Sequence, residues 1–237
     1  MKTLIAVVHC RTRQPYMDAI RSTWLHLVPS DRADVRFFVG RGEHRDYPAD
    51  VVELDCGDGY ESLPEKVRAI SRWSLANGYE HTLKCDDDVV LLPSRLLASG
   101  YETADFVGHQ NSSKEIPRPP YGFCYWLSKR SMQIIAEAEL PRDNWDEGWV
   151  RTKLYAHGIM LRHDPRYTLH FGKKEDYVSK RRPLRFHREN TLLATKPVEG
   201  TFAYCLYIPW LGYKNLSVER NVQEFHKLWD EVRLRCP

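Results

Sequence analysis

The 237-residue chain has no window of 18 apolar residues, so nothing in it reads as a membrane-spanning helix. It has no CxxC pair and no zinc-type spacing. Its six cysteines (Cys10, Cys56, Cys85, Cys124, Cys205, Cys236) are scattered, which in a chain this long favours free, buried thiols over a disulfide framework. Internal repeats, low-complexity tracts and clear linkers are also missing, which leaves one compact domain over 1–237 as the simplest organisation. The opening run Thr3-Leu4-Ile5-Ala6-Val7-Val8 is too short for a signal peptide with its cleavage site and reads as a buried strand. With no anchor in view, the expected location is cytoplasmic. Net charge is small, +3, but uneven: between Arg162 and Arg188 nine Lys/Arg stand against three acids, which predicts a local basic surface.

What the chain does have is hydrophobic residues at 42%, including seven Trp and thirteen Tyr, enough to build one large core. Flat rings also suit grooves that hold ring-shaped ligands. The first half alternates strand and helix patterns: strands at 4–8, 35–39, 51–54 and 81–85, and helices at 16–27 and 63–77, the second closed by Asn77-Gly78 as a left-handed stop. This order implies an α/β fold, with a Rossmann-like parallel or mixed sheet and helices on both faces. The second half is less regular, with strands expected at 106–109 and 123–127 and helices at 129–138 and 147–157. The stretch 179–197 reads as loop, and Ser217 can cap a closing helix whose apolar face is Val218, Val222, Phe225, Leu228 and Val232.

The strand at 81–85 runs into Asp86-Asp87-Asp88, at the strand end where ligands of such sheets sit. Three consecutive carboxylates repel one another, and a divalent cation removes that cost. Mg²⁺ and Mn²⁺ take hard oxygen ligands, few from protein and several from phosphate or water. In an extended segment Asp86 and Asp88 point one way and Asp87 the other, so Asp86 and Asp88 are the expected metal pair. A solvated acidic turn is the plainer alternative, but a self-solvating loop rarely sits between two apolar strands.

Around that triplet the chain resembles the β-1,3-galactosyltransferase and fringe family of inverting glycosyltransferases, which have the GT-A fold. The resemblance runs over about residues 4–172. It is carried by Arg13…Ile20-Arg21-Ser22-Thr23-Trp24, Phe37-Phe38-Val39-Gly40, Asp58-Gly59-Tyr60-Glu61-Ser62-Leu63-Pro64-Glu65-Lys66 and Tyr79…Lys84-Cys85-Asp86-Asp87-Asp88-Val89. Further on it rests on Pro119-Pro120-Tyr121-Gly122…Tyr125-Trp126-Leu127-Ser128, two residues short of the family element with one of its three glycines. The last match is Asp146-Glu147-Gly148-Trp149-Val150, with the family's two acids exchanged.

The resemblance implies a nucleotide-sugar half over 1–92 and an acceptor half over 93–237. It implies a UDP-sugar donor, Mn²⁺ or Mg²⁺ held by Asp86, Asp88 and His170 (His187 in reserve), and donor contacts from Arg13, Arg21, Asp58, Lys84, Asp86 and Asp87. Arg13, Arg21 and Lys84 could instead pair with acids. An inverting transfer needs a carboxylate to take the acceptor proton; Glu147 falls on that position and Asp146 is the runner-up. Trp145 and Trp149 beside them would offer faces for sugar stacking. The basic stretch 162–188 points to an anionic acceptor, a glycan on a phosphorylated carrier or, as in phage enzymes, a hydroxymethylated base in DNA. The rival expectations are a nucleic-acid-binding module and a non-catalytic sugar-binding relative.

Overall fold

In the computed structural model, residues 2–43, 46–110, 120–170, 201, 203–206 and 218–234 are described. The elements are β1 (Thr3–Val8), α1 (Gln14–Ser22), β2 (Asp34–Val39), β3 (Val51–Glu53), α2 (Leu63–Ala76), β4 (His81–Asp86), β5 (Val89–Leu91) and α3 (Pro93–Leu97). There follow β6 (Phe106–Gln110), β7 (Pro120–Ser128), α4 (Lys129–Glu137), α5 (Asp146–Ala156), β8 (Arg162–His163), β9 (Tyr167–His170), β10 (Ala203–Leu206) and α6 (Val218–Leu234).

A mixed sheet runs in the order β3-β2-β1-β4-β7-β6-β8. Strands β1 to β4 are parallel where they pair; β7 runs against both β4 and β6, and β8 is parallel to β6. Every strand of this sheet except β7 therefore ends at one edge, and β7 begins there. Strand β1 shows why the layers form: Leu4, Ala6 and Val8 pack on one side with Ile70 of α2, and Ile5 and Val7 on the other with Met17 and Ile20 of α1. All six of its residues are buried, as a central parallel strand requires. Helices thus cover both faces, as the alternation of elements predicts.

A second sheet, β5-β10-β9, changes the expected setting of the triplet. Val89–Leu91 leaves the main sheet and pairs antiparallel with β10, so Asp87 and Asp88 form the turn between two sheets and not an extended run. Trp24 fastens this junction: it is fully buried, and its indole N–H donates to the Val89 carbonyl at 3.0 Å.

The first helix is shorter than its apolar spacing predicts. Ser22 and Thr23 turn their hydroxyls back onto the carbonyls of Asp18 and Ala19, competing with the backbone ladder, and α1 stops at Ser22. Leu27, expected on its apolar face, is 44% exposed. Helix α2 ends as expected on Gly78, whose φ of +76° suits glycine. Helix α6 buries Phe225, Leu228 and Val232 as predicted, adds Trp229, and packs toward α1; Ser217 lies outside the described residues. Cys56, Cys85 and Cys124 are free and buried and Cys10 is free and half-buried, as expected. Among the described residues no helix is long and apolar enough to cross a membrane.

Candidate active site

The carboxyl edge of the main sheet brings two acidic groups together. Asp86 is the last residue of β4, and Lys84, two residues earlier, lies on the same strand face. The Lys84 Nζ stands 2.5 Å from Asp86 Oδ1, donates to the Gly122 carbonyl at 2.5 Å, and lies 3.7 Å from Asp146 Oδ2. Burial alone would strip the charge from this lysine; Asp146 and Asp86 outweigh it and hold the ammonium protonated well above its usual range.

Asp87 turns inward. Its Oδ2 faces His9 Nδ1 at 2.7 Å and accepts from Arg13 Nε at 3.0 Å, while its Oδ1 lies 2.6 Å from the Arg13 Nη2. Arg13 also reaches Asp88 Oδ2 at 3.8 Å and stacks its guanidinium over Tyr16. Arg13 and Asp87, both expected to meet the donor, are thus the clamp that holds the turn. Asp88 is the less protected member. Burial, with Asp86 and Asp87 beside it, pushes its carboxyl up to about 7 despite Arg13. The Asp86 carboxyl is also raised, by burial first, with Lys84 opposing and Asp146 and Asp87 adding.

The second acidic group opens α5. Asp146 is 3% exposed and accepts from the Tyr125 hydroxyl at 3.2 Å. Glu147 is half-buried and lies against the Cα of Gly122: a Cβ there would stand 2.9 Å from Glu147 Oε2. Burial, then the charge of Asp146, pushes the Glu147 carboxyl up to about 8, with Lys84 pulling the other way. Acids favour a helix start through its dipole, but here the two carboxyls crowd each other more than the helix relieves them.

Tyr60 is a site residue that sequence reasoning misses. It stands 72% exposed in a single 3₁₀ turn at Tyr60–Ser62. Local desolvation and the charges of Glu147, Asp146 and Asp86 raise its hydroxyl, so the exposed side chain lies within reach of both acidic groups. The usable signal is an aromatic after Gly59 within the matched segment 58–66, just before the start of α2. Gly122, whose missing side chain makes room for Glu147, belongs to a motif, but nothing in that motif marks it as part of the site.

Other expected site residues serve the scaffold. Arg21 makes a two-pronged pair with Asp50, at 3.0 and 2.7 Å, that ties α1 to the entry of β3. Asp58 accepts from the backbone N–H groups of Arg11 and Gly40, at 2.8 and 2.7 Å, and from Lys66 Nζ at 3.0 Å. Burial raises its carboxyl, but these donors outweigh burial and lower it. Buried Lys66 also donates to the His9 carbonyl at 2.7 Å, so Asp58 is joined to the triplet only through a scaffold chain. Trp149 does not offer a sugar-stacking face: it shares the inward stripe of α5 with Asp146, Val150 and Leu154, and its indole N–H donates to the Glu139 carbonyl at 2.9 Å. Trp145 is half-buried, its ring over Gly148.

His170 ends β9, but its side chain lies outside the described residues, as does His187. Of the basic stretch, Arg162 is spent on the Gly100 carbonyl and the Thr103 hydroxyl, and Arg166 on Asp164 and the Ser99 carbonyl. The other seven basic residues, 173–188, lie outside the described residues. Among the described residues no group of three or more His, Cys, Asp or Glu is arranged to hold a metal ion by itself.

No family model matches the chain, and no curated protein matches it in sequence. Solved structures do match in shape. A glycosyltransferase involved in glycosylation of the major capsid of PBCV-1 is 9% identical over 95% of this chain and 100% of its own, with a TM-score of 0.50. The galactosyltransferase LgtC, solved with donor and acceptor sugar analogues, is 10% identical over 98% of this chain and 96% of its own, with a TM-score of 0.48. At such identities the likeness is one of fold, and it agrees with the architecture above: a single mixed-sheet α/β unit of the GT-A type.

Proposed function

We propose that the chain is a metal-dependent inverting glycosyltransferase that moves a sugar from a UDP-sugar to an acceptor hydroxyl. It would be a relative of the β-1,3-galactosyltransferase and fringe enzymes. The observation that carries this is the meeting, on one sheet edge, of the Asp86–Asp88 turn and the Asp146–Glu147 pair, with Lys84 bonded to the first and facing the second. Glu147 is the better base. Asp146 is committed to Tyr125 and faces Lys84, whereas Glu147 is partly open to the cleft, and a proton affinity near neutral pH suits a group that must accept a proton there.

A divalent cation fits Asp86 and Asp88. Both are hard oxygen donors whose carboxyls are raised first by burial and then by neighbouring acids, Asp146 and Asp87 for Asp86 and Asp86 and Asp87 for Asp88, the cost that a cation removes. Those two residues would hold Mn²⁺ or Mg²⁺, with diphosphate oxygens and water completing the shell and His170 as the expected third protein ligand. Bound there, the ion would supply Lewis-acid neutralisation of the leaving diphosphate. Tyr60 stands where a ring could stack on a sugar or base. A glycan is the preferred acceptor, because Arg162 and Arg166 are spent within the chain; a polyanion such as modified DNA would have to rely on 173–188.

The test is incubation with Mn²⁺ and a panel of nucleotide sugars, measuring slow hydrolysis and thermal stability, then transfer to oligosaccharides or to hydroxymethylated DNA. One UDP-sugar at about 100 times its Kd should stabilise the fold by about 2.7 kcal/mol and be hydrolysed. If no nucleotide sugar stabilises the protein with metal present, the proposal falls. Donor binding without turnover on any acceptor would favour a sugar-binding relative. DNA binding that survives Asp86→Ala and Asp88→Ala would favour a nucleic-acid module.

Gly122→Ala is a local check. The new methyl meets only the tip of a flexible side chain, so the fold should change by less than about 0.5 kcal/mol. Displacing Glu147 by an ångström should still cost transfer about 100-fold. Melting curves and initial rates measured together separate the two effects.

A further inference from the structure

Among the described residues Lys84 is the buried cation that reaches both acidic groups of the site. It is 3% exposed, its ammonium donates to Asp86 Oδ1 and to the Gly122 carbonyl, and Asp146 Oδ2 stands 3.7 Å away as an ion-pair partner. Where the resemblance implies a contact to the diphosphate, the ammonium is engaged by three groups of the chain itself.

The three partners come from separate elements. Asp86 belongs to β4, where a donor would be held. Gly122 belongs to β7, and its Cα is the surface on which the Glu147 carboxylate lies. Asp146 opens α5 and adjoins Glu147. β4 and β7 are paired here, Lys84 opposite Tyr125, whose ring faces the ammonium at 5.7 Å and whose hydroxyl binds Asp146.

From this geometry we infer that Lys84 is a positioning residue, which fixes the general base Glu147 relative to the donor carboxylate Asp86 through Gly122 and Asp146. The inference rests on the transferase function proposed above. Its physical content is steric and electrostatic. Lys84 bonds the backbone against which Glu147 rests, and it places a positive charge 3.7 Å from Asp146, the acid adjoining Glu147. The charged and titratable groups facing Glu147 are Asp146 on its own helix, Lys84 from β4 and Tyr60 from its 3₁₀ turn; Tyr125 of β7 also senses the Glu147 charge. Of these only Lys84 is cationic.

The experiment compares the full-length protein with Lys84→Met and with the charge-balanced pair Lys84→Met/Asp146→Asn. UDP affinity in Mn²⁺, kcat against pH, and Glu147 titration by carboxyl ¹³C NMR are followed. With Lys84→Met, UDP affinity should stay within about threefold while kcat falls by at least about 30-fold. The Glu147 titration and the acid limb of kcat should both move up by at least about one pH unit. Adding Asp146→Asn should return the titration most of the way.

If Lys84→Met does not fold, because Asp86 and Asp146 are left buried without a counter-charge, the paired variant and Lys84→Arg are read instead. Both should hold Glu147 within about half a unit of the unaltered protein. A tenfold loss of UDP affinity with the titration unmoved would make Lys84 a donor ligand and overturn the inference. So would parallel losses of kcat, UDP binding and stability with no titration shift. The ¹³C readout needs no turnover, so an inactive parent protein whose Glu147 still moves would sink the transferase function while leaving the coupling intact.

Discussion

Glu147→Gln is expected to reduce sugar transfer by about 10²- to 10⁴-fold while leaving UDP affinity in Mn²⁺ nearly unchanged. The amide keeps the shape of the side chain against Gly122 but cannot accept the acceptor's proton. In the unaltered protein kcat/KM should rise with pH and level off above about 8, because the base works only when ionised and its carboxyl is pushed up to about 8. The same shift predicts a gain in stability for the variant. A carboxyl whose folded pKa lies above its unfolded value binds its proton more tightly in the fold, so stability falls as pH rises from the unfolded value of 4.5 toward 8. Glu147→Gln escapes that loss. It should match the parent near pH 4.5 and exceed it by roughly 2 kcal/mol at pH 9, a figure discounted for partial exposure and coupling. Urea unfolding at the two pH values measures this directly. Equal stability at both, with activity retained, would remove Glu147 from the base role.

The parallel half of the sheet is legible because its signals are local. A run such as Leu4–Val8 can only be a strand buried on both faces, and Asn77-Gly78 ends a helix by its own backbone preference. The triplet is legible as chemistry because three like charges in sequence need a reason, whereas the acidic pair at 146–147 is reached through the resemblance, since two acids also suit a helix start. What is not legible depends on partners far along the chain. Lys84 looks like a donor ligand until β4–β7 pairing puts Gly122, 38 residues on, against its ammonium. Asp87 reads as a donor contact until His9 and Arg13, more than 70 residues earlier, close on it. Trp149 is a different kind of miss. Its place three residues after Asp146 and beside Val150 puts it on the buried stripe of α5, and the helical period by itself is enough to say so. The triplet's extended geometry fails because Val89–Leu91 pairs in a second sheet, a choice made by β10 and invisible at the triplet itself.

The last two acids of the triplet, Asp87 and Asp88, should respond in opposite directions to the same substitution. Asp87→Asn removes the charge that Arg13 and His9 share, leaving the Arg13 guanidinium with Asp88 at 3.8 Å as its nearest acid, and should cost about 2–4 kcal/mol of stability. Asp88→Asn removes a carboxylate that the fold holds at a loss. In metal-free buffer its folded carboxyl, near 7, lies above the unfolded value of 3.8, so the parent loses stability as pH rises between those values and loses no more beyond. The Asn variant should therefore equal the parent at pH 3.5 and be the more stable protein at pH 7.5. Mn²⁺ should reverse that order, since only the parent keeps both carboxylates that the ion is proposed to bind; added metal should raise its melting temperature and leave Asp88→Asn unmoved. Melting curves of both variants, with EDTA and then with Mn²⁺, decide the matter. If Asp87→Asn were harmless and Asp88→Asn destabilising without metal, the division of the triplet into a structural and a ligand-binding member would be wrong.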